Sequence, residues 1–318
     1  MPTPTPPIEI SIVAPMHNEE ANIEAFFSRL KTLFEELDTS YEIVCVNDGS
    51  KDGTLQSLMR YQEQDPHIRL IDLSRNFGKE VALTAGLDYS KGEAVIPIDA
   101  DLQDPPELIP EMISKWREGY DVVYATRRSR QGESTVKKTT ANLFYRLLDR
   151  ISEIEIPRNT GDFRLMDRRV VDALKRMPER NRFMKGLFAW VGFNQTAIYY
   201  DRDPRVAGET SWNYIKLWRL AVDGITSFSA TPLKVWSYLG LFLSMTALIY
   251  AVYLVVRVLV HGVDVPGYAS MMVVILFMGG MQLITLGVIG EYLGRIFTEV
   301  KRRPLYLVKE TRGFDKDH

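Results

Sequence analysis

The sequence predicts an α/β domain on a mostly parallel sheet, followed by amphipathic interfacial helices and a hairpin of two transmembrane helices. From residue 8 onward, short apolar runs alternate with stretches of helical periodicity, a pattern that favours parallel strands covered by helices on both faces. The first four runs each end in a polar cluster, and two long uncharged segments stand near the C-terminal end.

The elements follow in order. Residues 1–7, Met-Pro-Thr-Pro-Thr-Pro-Pro, are expected as a flexible tail; without a basic n-region or an apolar core they predict no secretory signal. Strands are expected at 8–14, 41–46, 68–73, 94–98 and 121–125, and helices at 22–36, 54–64, 81–89 and 108–118. The domain runs over 8–230 and includes two amphipathic stretches. In 137–154, Leu143, Phe144, Leu147, Leu148 and Ile151 keep helical spacing among Lys137, Lys138, Arg146 and Arg150. In 212–228, Ile215, Trp218, Val222 and Ile225 do so beside Lys216 and Arg219. Basic amphipathic helices with aromatics suit a membrane surface, while packing against the sheet uses the same pattern.

Residues 235–256 and 265–290 contain no charge, and each exceeds the roughly 20 apolar residues that span a hydrocarbon core. Transmembrane helices are therefore expected over 233–260 and 266–296, joined near Pro266-Gly267. Gly290 and Gly294 form a small-xxx-small pair suited to close helix packing. Lys234 precedes the first span, and Lys301, Arg302 and Arg303 open a basic tail at 297–318. The hairpin tip carries only Arg257, His261 and Asp264, so the positive-inside rule places the domain and the tail in the cytoplasm.

Hydrophobic residues make up 46% of the 318 residues and charged residues 25%, ordinary values for a folded chain, so disorder is not the default reading. A net charge of −2 argues against wholesale nucleic-acid binding. The lone cysteine, Cys45, excludes an intrachain disulfide framework and a cysteine-rich zinc site; it reads as a small buried hydrophobe on a strand.

In an open parallel sheet, ligands sit beyond the carboxyl ends of the strands. There lie Pro15-Met16-His17-Asn18-Glu19, Asn47-Asp48-Gly49-Ser50, Arg75-Asn76-Phe77-Gly78-Lys79 and Asp99-Ala100-Asp101-Leu102-Gln103-Asp104-Pro105. Neither a G-x-G-x-x-G after the first strand nor a P-loop lysine motif is present. Residues two apart on an extended chain face one side, so Asp99, Asp101 and Gln103 can present oxygens to one point. Hard oxygen donors suit Mg²⁺ or Mn²⁺ shared with substrate phosphates. Asp104 fits better as the cap of the helix after Pro105-Pro106.

These clusters, with Gly161-Asp162-Phe163-Arg164-Leu165, Arg205, Gly208-Glu209-Thr210 and Ser227-Phe228-Ser229, resemble the inverting GT-A (Rossmann-like) glycosyltransferases of family 2. Within that family the chain is most similar to the polyprenyl-phosphate glycosyltransferases, such as bacterial bactoprenol glucosyltransferases and dolichol-phosphate mannosyltransferases. The resemblance implies transfer of a hexose, glucose first among them, from a UDP-sugar to undecaprenyl or another polyprenyl phosphate. It implies a multi-pass protein of the bacterial plasma membrane, assembled as a tetramer. It assigns Pro15, Asn18, Glu19, Asp48, Lys79 and Asp99 to the nucleotide, and Asp99, Asp101 and Gln103 to the metal. Asp162 takes the place of the catalytic base, and Arg127, Arg164 and Arg205 meet the acceptor phosphate. Ser211 stands where the family often has lysine, so a phosphate contact there must come from a neighbour such as Lys216. A processive polysaccharide synthase, the enzymatic alternative, needs more spans and a Gln-x-x-Arg-Trp motif; a non-catalytic scaffold would have lost Asp99, Asp101 or Asp162.

Overall fold

Strand β1 (Ile10–Met16) is the axis of the sheet, because it is buried along its length and pairs in parallel on both sides. A computed structural model describes residues 8–128, 160–177, 179, 180, 182, 184–200, 231–261 and 267–314; the expected interfacial helices and Arg205 lie outside them. β2 (Tyr41–Asn47) flanks β1 with Ile12 opposite Ile43, and β4 (Ala94–Pro97) flanks it with Ile12 opposite Ile96. β3 (Ile68–Leu73) continues the parallel set beyond β2. Strands covered on both faces read as near-continuous apolar runs, broken here only by single polar residues such as Ser11, Glu42, Arg69 and Asp72.

The chain builds β1, β2 and β3 outward in one direction, then returns to place β4 on the other side of β1. That reversal opens a crevice at the carboxyl ends of β1 and β4. Beyond β4 the sheet turns mixed. β6 (Thr160–Asp167) runs antiparallel between β4 and β5 (Val122–Arg127), and β7 (Gln195–Tyr200) pairs in parallel with the outer side of β5.

Helices α1 (Ile23–Glu36), α2 (Thr54–Gln64) and α4 (Ile109–Arg117) cover one face through Phe26, Leu30, Leu58 and Met112. On α1, buried Ile23, Phe26, Phe27, Leu30 and Phe34 follow the helical repeat, and each such side chain contributes roughly 1.5–3 kcal/mol. The other face carries α3 (Lys79–Tyr89), α5 (Arg168–Lys175) and α6 (Met184–Trp190), through Leu83, Val170, Leu174 and Phe188. All five strands and four helices expected between residues 8 and 125 form, with no end displaced by more than two residues. Cys45 is buried on β2 as expected.

Two long helices follow, α7 (Thr231–His261) and α8 (Tyr268–Val300). Their apolar side chains stand outward: Leu241 is 62% exposed, Leu259 80% and Leu283 72%. Among the described residues, Ser270–Val300 is long and apolar enough to cross a membrane, while the apolar stretch Tyr238–Tyr250 in α7 is shorter. After α8 the chain returns to the sheet. Within the segment expected as a basic tail, β8 (Val308–Arg312) pairs antiparallel with β3 and covers the sheet edge.

Gly86 sets the height of α3 above the sheet. A Cβ there would overlap Val13 Cγ1 on β1 and lie 3.2 Å from Val46 Cγ2 on β2. This close approach holds the first residue of α3, Lys79, over the carboxyl ends of the strands. Overpacking such a contact costs roughly 1–3 kcal/mol. Gly86→Val should therefore lower the unfolding midpoint in denaturant; an unchanged midpoint would mean that α3 stands clear of β1.

Candidate active site

The crevice is a cavity of about 280 Å³ whose wall includes Pro15, Glu19, Asp48, Lys79, Asp99 and Asp101, residues separated by up to 86 positions in sequence. They come from the carboxyl ends of four strands: Pro15 and Glu19 from β1, Asp48 from β2, Lys79 from β3, and Asp99 and Asp101 from β4. Asn18, at φ 57°, stitches the first two loops together: its N–H donates to Ser50 Oγ and its side-chain oxygen accepts from Lys51 N–H. His17 Nδ1 lies 2.8 Å from the Asp48 carbonyl oxygen, which can only accept, so this nitrogen carries the proton. The Glu19 carboxyl is pushed above its ordinary range by burial, with Asp101 and Asp99 adding to the effect against its bond from Asn22.

Asp48 organises the next loop. Its carboxylate accepts the backbone N–H of Phe77 at 2.6 Å and of Gly78 at 2.9 Å. Gly78 has φ +97°, a conformation that favours glycine, and the turn delivers the chain into α3. Gly49 next to Asp48 has φ +59° and packs so closely on the backbone of Arg75 and Asn76 that a Cβ would collide there.

Lys79 then reaches across the cavity mouth. Its Nζ lies 2.7 Å from Asp99 Oδ1 at the end of β4 and 2.7 Å from Asp162 Oδ2 on β6. Burial alone would lower the lysine pKa, but the two carboxylates outweigh it and hold the ammonium well above its ordinary range. Asp162 moves the other way: burial raises it, yet Lys79, Lys185 and Arg164 together keep it below the usual carboxylate range. Asp99 is raised, because burial and the Asp162 charge exceed what Lys79 returns.

Behind Asp162 lies a second group of charges. Arg164 is buried, with its guanidinium 4.0 Å from the Phe188 ring centroid and one nitrogen donating to the Gly161 carbonyl at 2.9 Å. Burial lowers its pKa to about 10 despite the pull of Asp162. Glu80 receives the Met184 N–H, and burial together with the Asp162 charge raises it to about 8, against Lys79 and Lys185. Among the described residues, the buried atoms Asp162 Oδ1, Arg164 Nε and Glu80 Oε2 find no hydrogen-bond partner. Such orphaned groups are rare in folded proteins and are expected where a ligand completes the bonding.

The remaining expected residues fall beside this core. Gln103 is buried and donates from Nε2 to Asp101 Oδ2 at 2.7 Å, and its own Oε1 finds no partner among the described residues. Asp104 corrects an expectation. It does not cap the following helix, which has no side-chain cap; it instead accepts from the Tyr200 hydroxyl and from Arg127 at 3.3 Å. A cap needs its carboxylate free to accept a first-turn N–H, whereas Asp104 is buried with its Oδ1 taken by two long-range donors. Tyr200 is pushed up to about 12 by burial and by Asp104. A Cβ on Gly161 would lie 3.5 Å from Asp104 Oδ2 and 3.7 Å from an Arg127 nitrogen, so this cluster adjoins Asp162. Lys185, Glu80 and Tyr200 escaped the sequence reading. Only Glu80 carried a signal, as the acidic neighbour of Lys79.

The profile of glycosyl transferase family 2 matches residues 11–175, and that of the GtrB C-terminal hairpin matches residues 231–296. An uncharacterized glycosyltransferase of Synechocystis sp. is 63% identical, with 97% of each chain covered. The SfII prophage-derived bactoprenol glucosyl transferase of Shigella flexneri is 48% identical over 96% of this chain and 98% of its own. The chain belongs to glycosyltransferase family 2. Among solved structures it is similar to glucosyl-3-phosphoglycerate synthase from Mycobacterium tuberculosis, with a TM-score of 0.47, 21% identity, and 69% and 78% of the two chains covered.

In this transferase the cavity wall carries four carboxylates, Glu19, Asp48, Asp99 and Asp101, and a single lysine. Among the described residues, no three acidic, histidine or cysteine side chains form a metal cage. Asp99 and Asp101 thus supply oxygen donors of the right chemistry for an ion completed by a ligand's own oxygens, but not for one held by protein alone.

Glu80 gives this site a signature in pH. Unfolded, its carboxyl titrates near ~4.3; folded, it titrates near 8. Between those values the folded state holds the extra proton, so this group lowers stability as pH rises through the interval. Glu80→Gln should flatten the decline in melting temperature between pH 5 and pH 8. Parallel profiles for the two proteins would contradict a raised Glu80 carboxyl in the folded state.

Proposed function

We propose that this glycosyltransferase moves glucose from UDP-glucose to a polyprenyl phosphate at the cytoplasmic face of the bacterial plasma membrane, with inversion at the anomeric carbon. The observation that carries the reading is the Lys79 bridge, which ties Asp99 on the donor cavity to Asp162 beside the arginines. The relatives named as bactoprenol glucosyl transferases support the lipid phosphate and the sugar. The exposed apolar faces of α7 and α8 support a multi-pass anchor. The Cβ positions of Gly287, Gly290 and Gly294 on α8 are open, which supports self-association of the hairpin, with a homotetramer as the assembly.

The donor cavity is where charge decides. Unit charges of like sign 4 Å apart repel by roughly 4 kcal/mol at an effective dielectric of 20. One lysine cannot offset a diphosphate set against four carboxylates. Mg²⁺ or Mn²⁺ on Asp99 and Asp101, with Gln103 orienting Asp101, would supply the missing positive charge and stabilise the departing UDP. Pro15, Glu19 and Asp48 line the end of the cavity that would take the uridine, and Asn18 would serve it by holding the two loops together.

On the acceptor side, a phosphate monoester has its second pKa near ~6 and is mostly dianion at neutral pH. It needs no base. Asp162, held below the usual carboxylate range by Lys79, Lys185 and Arg164, would also be a poor one. Its work is positional: it fixes Lys79 and sets the field where positive charge develops on the sugar. Arg164, Arg127 and Arg205 offer guanidinium groups to the acceptor phosphate, a geometry that lysine matches poorly. An acceptor oxygen then bonds to the anomeric carbon as the bond from that carbon to UDP breaks.

The direct experiment incubates membranes carrying the protein with radiolabelled UDP-glucose and polyprenyl phosphate, then extracts the lipid. Label should enter the lipid, disappear with EDTA and return with Mg²⁺ or Mn²⁺. Asp162→Asn should cost at least a hundredfold, and the loss should stay flat from pH 6.5 to 9. An unlabelled lipid would contradict the reaction, and a loss that shrinks as pH rises would restore Asp162 as a base.

A further inference from the structure

The strand that follows the membrane hairpin does more than cover an edge. β8 lies antiparallel to β3, but its register breaks between Asp72 and Leu73: Asp72 faces Glu310 and Leu73 faces Val308, leaving Lys309 as the extra residue of a bulge. Bulges re-aim a side chain and recur beside active sites. Here the bulged residue sends its Nζ to within 3.3 Å of Asp72 Oδ2. The Asp72 side chain is only 4% exposed, whereas that of Lys309 is 64% exposed. A buried carboxylate is costly unless it is paired and hydrogen-bonded, so Asp72 depends on the partners it has.

Its other partner leads to the donor cavity. Asn47 at the end of β2 is buried and donates from Nδ2 to Asp72 Oδ1 at 2.7 Å. That bond fixes which way the amide points, so the Asn47 oxygen faces forward and accepts the Ser50 N–H at 3.3 Å. Ser50 Oγ in turn accepts the Asn18 N–H, and the turn between carries Asp48, whose carboxylate holds Phe77 and Gly78. A continuous path of polar contacts thus runs from the tail strand to the loop that aims Lys79.

The segment around β8 is anchored independently of Lys309. Tyr306 donates to Asp88 at 2.8 Å, Ser74 N–H donates to the Leu307 carbonyl at 2.9 Å, and Arg69 donates to the Gly313 carbonyl at 2.6 Å. Removing the lysine charge therefore leaves the strand docked and isolates the polar path.

We infer that Lys309 is a positioning residue for the donor pocket, holding the Asp48–Ser50 turn through Asp72 and Asn47 and so linking the exit of the membrane hairpin to nucleotide binding. The role in nucleotide binding rests on the UDP-sugar reading above; the path to the turn does not. Amide hydrogen exchange on the full chain in detergent micelles, with no nucleotide present, tests the path by itself. Lys309→Met should speed exchange in residues 47–51 at least fivefold and leave residues 100–103 after β4 unchanged, while Lys309→Arg should restore the slow rate. Equal exchange in Lys309→Met and the parent chain would overturn the inference, as would acceleration spread evenly over the sheet. UDP titration of the same proteins separates the two readings. Binding weakened three- to tenfold by Lys309→Met and restored by Lys309→Arg supports the link, and unchanged affinity contradicts it. A parent chain that binds no UDP would contradict the donor reading while the exchange result still judges the path.

Discussion

An ammonium held between two carboxylates is the interaction on which the rest of this site depends. Asp99 and Asp162 come from different strands, and brought together without a cation they would repel. Lys79 satisfies both, and several features of the fold serve to put it there. The Gly86 contact presses α3 onto β1 and β2. The positive-φ turn at Gly78 starts the helix at the cavity mouth, and Asp48 fixes that turn through two backbone N–H groups. The glycine and aspartate of these loops are therefore structural before they are chemical. Asp48, expected at the nucleotide, spends its carboxylate on the loop that carries the lysine.

The molecule joins two kinds of burial. The domain closes its sheet between two helical layers, whereas α7 and α8 leave their apolar side chains outward. Helices of 31 and 33 residues with that surface are stable only if something apolar covers them. The return of the chain to the sheet as β8 means that the polypeptide leaves the domain and comes back to it. Whatever holds the hairpin is mechanically connected to the edge of β3.

Much of this was legible in the sequence where burial on both faces wrote itself as short, predominantly apolar runs. β1, β2, β3 and β4 are of that kind, and the polar residues that end each run mark the crevice. The later strands were harder to read. β8 reads Val-Lys-Glu-Thr-Arg, a charged edge strand with a single apolar residue, Val308, packed against the core, so no apolar run announces it. β6 was visible as the Gly161-Asp162-Phe163-Arg164-Leu165 motif, but its antiparallel insertion between β4 and β5 carries no local signal. Asp104 shows the limit most clearly. Next to Pro105 it has every mark of a cap, and its actual partners, Tyr200 and Arg127, are 96 and 23 residues away. Long-range pairing of polar groups has no periodicity to betray it, so Lys79 could be named as a site residue without its two carboxylates being foreseen.

Lys79 and Asp162, joined at 2.7 Å, should act as one unit rather than as two separate contacts. A double-mutant cycle on kcat/KM for sugar transfer, using Lys79→Met, Asp162→Asn and the double variant, measures this directly. Residues that act together lose little more when both are removed than when one is. The double variant should therefore fall within about tenfold of the worse single variant. Losses that multiply across the two sites would show that the lysine and the aspartate work independently, and would contradict their action as one unit.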